Sequence, residues 1–293
     1  MIRLMKIIFM VVLTALAVLN SSCSKEDKII SPSNEGFIAL ESRGIRLAAT
    51  LDLPAGEGPF PAMVFVHGSG RVTRHQFTEI AKWFAANGIA ILRFDKRGVG
   101  QSLGEYQGVN AYNSIAVFDE LADDVLAGVS FLKAHPKINP GQIGLYGGSQ
   151  AGWIMPLAVS RSTDIAFMVS LSGAASTVGI SDFYDQIAET MANDEEIKEA
   201  LRNFGNTHCF DPAPYLEAFT IPALWVYGGQ DKSNPTANDM AILERIKAEK
   251  DKDFTIHLFP NANHALVDVV SGRQVPAAEQ CVLTWLRDHI HLL

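Results

Sequence analysis

From residue 37 onward the chain alternates short apolar runs with stretches whose apolar positions fall three or four apart. Residues 37–41 and 45–53 flank Ser42-Arg43-Gly44, which predicts two strands joined by a hairpin turn. Residues 62–66 are apolar without interruption, the pattern of a strand covered on both faces. Helical spacing over 76–87 stops at Gly88, a C-cap signal, and 89–94 reads as the next strand. Residues 114–134 predict a long helix with Leu121, Val125, Val129 and Leu132 on its core face and Asp119, Glu120, Asp123 and Asp124 on a solvated one. A strand over 142–146, a helix over 150–160 and a strand over 165–171 follow. The rhythm breaks over 174–219, then resumes with a strand at 221–227, a helix at 234–250, a strand at 254–259 and a helix at 275–290. Such alternation implies an α/β fold, a mostly parallel sheet with helices on both faces, whose ligands bind beyond the C-terminal strand ends.

Composition narrows the function classes. The 293 residues are 48% hydrophobic, which excludes a disordered or fibrous chain. A formal charge of −8 argues against nucleic acid as a partner. Three cysteines are too few for a disulfide scaffold, although Cys209 and Cys281 leave one pairing open. Arg3 and Lys6 precede an apolar run over 7–19, which is shorter than the ~20 residues of a membrane span, and Ser21, Ser22 and Cys23 follow. The arrangement resembles a bacterial lipoprotein signal over 1–22, with Asn20 departing from the usual aliphatic residue. The resemblance implies lipidation at Cys23, a flexible tether over 23–36, and a location in the cell envelope, periplasmic or on the surface. Ordinary secretion or an uncleaved anchor are the alternatives.

Gly147-Gly148-Ser149-Gln150-Ala151-Gly152 lies between a predicted strand and a predicted helix. A serine on a sharp strand-to-helix turn exposes its hydroxyl only if the residues two before and two after are small, and Gly147 and Ala151 are. Other glycine- and acid-bearing segments fall at predicted strand ends: His67-Gly68-Ser69-Gly70, the run 95–102, Gly228-Gly229-Gln230-Asp231 and Asn261-Ala262-Asn263-His264. Together, in this order, they resemble the α/β-hydrolase superfamily over about residues 37–293, nearest its dienelactone-hydrolase-like and acyl-peptidase-like esterases. Ala151 departs from the last glycine of G-x-S-x-G. The resemblance implies an eight-stranded sheet, a helical lid over about 174–219, and a Ser-acid-His order of catalytic residues.

A serine hydroxyl needs a neighbouring base. Of the eight histidines, His264 follows the last strand on a polar loop. His257 falls within a strand pattern, His289 and His291 end the last helix, and His67 precedes the elbow, where the resemblance gives it a part in shaping the oxyanion loop. Asp231 follows a strand through two glycines and is the candidate orienting acid, with a helix N-cap as its other reading. Asp268 and Asp211 are the weaker candidates. Backbone N–H groups of Gln150 and of either Gly68 or Ser69 are the expected oxyanion donors. Asp95 and Arg97 read as an ion pair or loop brace, with substrate contact the lesser reading. In the insert, Phe183, Tyr184, Ile187 and Met191 recur at helical spacing, ahead of the acids Asp194, Glu195, Glu196 and Glu199. Phe183, Tyr184 and Trp153 either line a substrate pocket or pack in the core.

No residue cluster has metal-ligand spacing and no phosphate-binding loop appears, so neither a metal nor a cofactor is expected. The resulting expectation is an exported serine hydrolase acting on a small-molecule ester or acyl substrate, a carboxylesterase. The alternatives are an acylaminoacyl- or aminopeptidase-like serine peptidase, and an inactive hydrolase fold that serves as a binding protein.

Overall fold

The computed structural model describes residues 37–191, 193–205 and 208–290. The signal segment 1–22, Cys23, the tether 23–36 and His291 lie outside the described residues. The first two strands, β1 (Ile38–Ser42) and β2 (Ile45–Asp52), pair antiparallel with Ser42 opposite Ile45. Arg43 and Gly44 turn between them at φ 47° and 75°. Two central residues at positive φ match the twist of the flanking strands, and glycine adopts that conformation without a Cβ penalty.

The remaining strands are β3 (Phe60–Val66), β4 (Ala90–Phe94), β5 (Ile138–Gly148), β6 (Phe167–Leu171), β7 (Ala223–Gly228) and β8 (Phe254–Phe259). They form one eight-stranded sheet in the order β1-β2-β4-β3-β5-β6-β7-β8. β2 pairs antiparallel with β1 and β4, and every pair from β4 through β8 is parallel. The strand expected at 142 begins four residues earlier. Phe60 pairs with Ile138 and Ala62 with Ile143, so a bulge absorbs the Asn139-Pro140-Gly141 segment.

The helices are α1 (Thr78–Ala86), α2 (Ser114–Ala134), α3 (Ala151–Val159), α4 (Val178–Ile187), α5 (Asp194–Asn203), α6 (Ala213–Glu217), α7 (Thr236–Lys250) and α8 (Pro276–His289). A 3-10 turn, Arg74–Phe77, precedes α1, so the helix expected from 76 starts later. Alternate strand residues serve opposite cores. Val64, Leu92 and Leu145 pack under α2 and α3, while Met63, Ile91 and Val169 pack under α1 and α8. The irregular stretch between β6 and β7 is the helical insert α4–α6, in the position of the expected lid.

The solvated acidic face expected on α2 is corrected. Asp124 is fully buried and accepts both guanidinium arms of Arg97, Nε at 3.1 Å and Nη2 at 2.7 Å, and the Ser42 hydroxyl at 2.5 Å. Asp119 and Asp123 lie half-buried between Arg43 and Arg161. Glu120 lies 3.6 Å from Arg97 Nη1, so all four acids fasten α2 to its neighbours.

Candidate active site

β5 ends at Gly148 and α3 begins at Ala151, so Ser149 occupies the sharp turn between them. Its φ is 56°, a left-handed conformation that costs a non-glycine residue about 1–3 kcal/mol. The Ser149 N–H donates to Leu171 O of β6 at 3.0 Å, which fastens the turn to the sheet. A Cβ on Gly147 would lie 2.5 Å from Val66 O and 2.7 Å from the Ala151 Cβ, so the small residues on both sides of Ser149 are a packing requirement. Gly152 is equally confined, with Ala174 N 2.4 Å from the place a Cβ would occupy.

Asp231 stands beyond the end of β7, its side chain fully shielded from solvent. Oδ1 accepts the N–H groups of Ser233 at 2.7 Å and Asn234 at 2.9 Å. Oδ2 lies 2.7 Å from Nδ1 of His264, which sits on the loop after β8. A carboxylate only accepts, so Nδ1 carries a proton, and in the neutral ring Nε2 holds the lone pair. Gln230 N donates to Ala262 O at 2.8 Å, tying the acid's loop to the histidine's. Asp231 is not the N-cap of α7, which is Pro235 without a side-chain cap bond; its Oδ1 closes the turn over 231–234 while its Oδ2 holds the imidazole of His264. Ser149, Asp231 and His264 all lie at C-terminal strand ends. No hydrogen bond joins Ser149 to His264 among the described residues.

The loop after β3 abuts the turn. A Cβ on Gly68 would lie 3.4 Å from Gly148 O and 3.6 Å from the Ser149 Cβ. His67 is buried, with Nε2 2.6 Å from Phe94 O. Burial, and then the charge of Lys96, lower its pKa to about 3, so it is a neutral brace. Lys96 lies in the run 95–102, in which the sequence assigns a role only to Asp95 and Arg97. Its Nζ donates to Gly68 O at 2.9 Å, Gly70 O at 3.4 Å and Gln150 Oε1 at 2.8 Å, joining the loop after β3 to the residue after Ser149.

Asp95 and Arg97 do not pair with each other. Asp95 binds Arg74 and the Gln101 N–H, while Arg97 binds Asp124; both brace loops. Trp153 packs in the core, stacked on Phe118, with its Nε1–H donating to Ser176 O. Tyr184 of the insert reaches the site, its hydroxyl donating to Asp231 O at 2.7 Å, and Phe183 stacks on Phe204. His257 is exposed on β8, and His289 stacks on Trp285. Cys209 and Cys281 are unpaired and belong to opposite sides of the sheet. Among the described residues no cluster of three acidic, histidine or cysteine side chains is placed to hold a metal.

The model of the prolyl oligopeptidase family matches residues 75–292. Esterase EstD of Thermotoga maritima is 23% identical over 259 residues, covering 78% of this chain and 60% of EstD. The chain therefore spans less than two thirds of that relative's length. Among solved structures, the α/β hydrolase GrgF from Penicillium superposes with a TM-score of 0.62 at 20% identity, over 87% of this chain and 98% of its own. Dipeptidyl peptidase 4 of Porphyromonas gingivalis does so with 0.63 at 15% identity, over 87% of this chain and 35% of its own. These likenesses share the α/β-hydrolase fold described above. With a match that runs from the 3-10 turn before α1 to α8, the chain belongs to the prolyl oligopeptidase family.

Proposed function

We propose that the protein is a serine hydrolase that cleaves carboxylic esters, with Ser149 as nucleophile, His264 as general base and Asp231 as its orienting acid. The observation that carries this reading is the 2.7 Å bond between the buried Asp231 carboxylate and His264 Nδ1, which presents a basic Nε2 in a fold with a serine at its elbow. His264 takes the Ser149 proton as the hydroxyl attacks the acyl carbonyl, and returns it to the leaving alcohol. Water then repeats the cycle on the acyl-enzyme. The N–H groups of Gln150 and of Gly68 or Ser69 stabilise the oxyanion. EstD is named an esterase, which supports the ester reading.

The family match supports a second reading, an acylaminoacyl- or aminopeptidase-like peptidase. Its amine leaving group is intrinsically poorer, so the two readings are compared as acceleration over the uncatalysed rate of each substrate. The acceleration of p-nitrophenyl esters of increasing chain length should exceed that of p-nitroanilides bearing the matching acyl or aminoacyl group, and Ser149→Ala should abolish both. A larger acceleration of the anilides would favour the peptidase. Full activity in Ser149→Ala would refute the site. We further propose export and lipid attachment at Cys23, carried by Arg3, Lys6, the apolar run 7–19 and the small residues before the cysteine. Detergent-phase partitioning that is lost in Cys23→Ala tests it.

A further inference from the structure

The run Asp95-Lys96-Arg97 carries three charges, and only two are balanced within it or by neighbours. Asp95 pairs with Arg74, and Arg97 with Asp124. Lys96 is buried and has no carboxylate partner among the described residues. Its three acceptors, Gly68 O, Gly70 O and Gln150 Oε1, are all neutral oxygens. They match the three N–H bonds of an ammonium, whereas a neutral amine would turn its lone pair on one of them. Burial lowers the Lys96 pKa to about 8, so holding an uncompensated cation here is costly, and its charge is felt by the neighbouring His67.

The acceptors explain why a cation sits there. Gly68 and Gly70 flank Ser69 in the loop after β3, and Gln150 directly follows Ser149. These are the two segments expected to donate N–H groups to an oxyanion. In a planar trans peptide the C=O and the next N–H point in opposite directions. Fixing Gly68 O on the ammonium therefore fixes the direction of the Ser69 N–H, and a carbonyl that accepts from a cation makes the N–H of its own peptide a stronger donor. Apart from the Tyr106 ring, whose centroid is 5.9 Å from Nζ, no negative partner among the described residues offsets this charge, and negative charge developing on the substrate would.

Resting on the Ser149 reading, we propose that Lys96 is the positioning residue of the oxyanion hole: it clamps the Gly68–Ser69 peptide to the Gln150 side chain and supplies the positive charge against which the tetrahedral oxyanion forms. It does not touch the substrate and exchanges no proton with it.

The test compares wild type, Lys96→Met, Lys96→Arg and Gln150→Met in the full-length protein. Three readouts are taken: kcat and KM on p-nitrophenyl butyrate, Ki for an alkyl trifluoromethyl ketone, which forms an anionic hemiketal on an activated serine, and Ki for the matching secondary alcohol, which does not. Lys96→Met should lower kcat by ~10²–10³, the loss typical of one oxyanion donor, with KM within about threefold. The ketone should weaken in the same proportion and the alcohol should not change. Lys96→Arg should recover part of the loss. Gln150→Met, which keeps the lysine and cuts one of its contacts, should give the same pattern at about tenfold and serves if Lys96→Met does not fold. The inference is overturned if folded Lys96→Met, or Gln150→Met in its place, keeps wild-type kcat, or loses kcat while binding the ketone as tightly as wild type. If wild type itself forms no Ser149 adduct with the ketone, the proposed function fails instead, so the two failures are distinguishable.

Discussion

Asp231→Asn changes one atom at the centre of the site, and its effect can be worked out from the bonds that surround it. The carboxylate Oδ1 accepts two backbone N–H groups, from Ser233 and Asn234, while Oδ2 faces His264 Nδ1 at 2.7 Å. An asparagine that keeps its oxygen on the two N–H groups places an NH₂ against the imidazole. Nδ1 must then accept, the ring proton moves to Nε2, and the base has no lone pair for the serine. The opposite amide orientation restores the tautomer but turns the NH₂ onto both backbone donors. Two unmet bonds at about 1–3 kcal/mol each put that form about 2–6 kcal/mol higher. The working fraction therefore falls to between about one in 30 and one in 10⁴, and kcat should fall by that factor, the upper end being the loss associated with a wrong-tautomer histidine. Steady-state hydrolysis of p-nitrophenyl butyrate reads it, with circular dichroism and thermal melting expected to match wild type because both backbone bonds survive. A folded variant with kcat within threefold of wild type would show that Asp231 does not orient the base.

Asp124→Leu leaves the buried Arg97 guanidinium with only the longer 3.6 Å pair to Glu120 and should cost about 3 kcal/mol in urea unfolding, the low end for a broken buried pair, whereas Arg43→Met, which removes only the partly exposed pairs to Asp119 and Asp123, should cost under about 1 kcal/mol. Gly152→Ala forces a Cβ to within 2.4 Å of Ala174 N; thermal melting should show a loss of about 1–3 kcal/mol, and kcat should fall with it because α3 carries the elbow. Burial raises the Asp239 carboxyl to about 7, against the pull of its bonds from Ser176 and Ala175. The folded state then keeps a proton that the unfolded chain releases near pH 4, so this group's contribution to stability is full below about pH 4, declines as pH rises to 7, and is constant above. Asp239→Asn cannot titrate, and its urea midpoint relative to wild type should rise across pH 4–7 by the equivalent of up to about 4 kcal/mol; a pH-independent difference would contradict the assignment.

The sharp turn that carries Ser149 was legible because its requirement is local: small residues within two positions of a serine, between a strand and a helix. Asp231 and His264 were legible as polar residues at strand ends in the right order, since a parallel sheet gathers such ends on one side. What escaped the sequence depends on partners far along the chain. Asp124 sits beside other acids on a helix and looks solvated, yet its partners are Ser42 and Arg97, 82 and 27 residues away. Asp95 and Arg97, two residues apart, read as an ion pair or a loop brace, and the fold gives each a different partner, which selects the brace. Lys96 stands in a run that carries the resemblance, but its contacts are not legible there, because its three acceptors come from two other loops. The early start of β5 was hidden by Pro140 and Gly141, which a bulge accommodates within a strand. Trp153 had two readings, and the stacking on Phe118 selects the core.

The central claim is that Ser149 is an activated nucleophile, and it is tested most directly without choosing a substrate. The purified protein is treated with a fluorophosphonate, digested, and the modified peptide located by mass spectrometry. The account predicts a single adduct on Ser149, absent in Ser149→Ala and slowed in Asp231→Asn. An adduct on another residue, or none on folded protein, would contradict it.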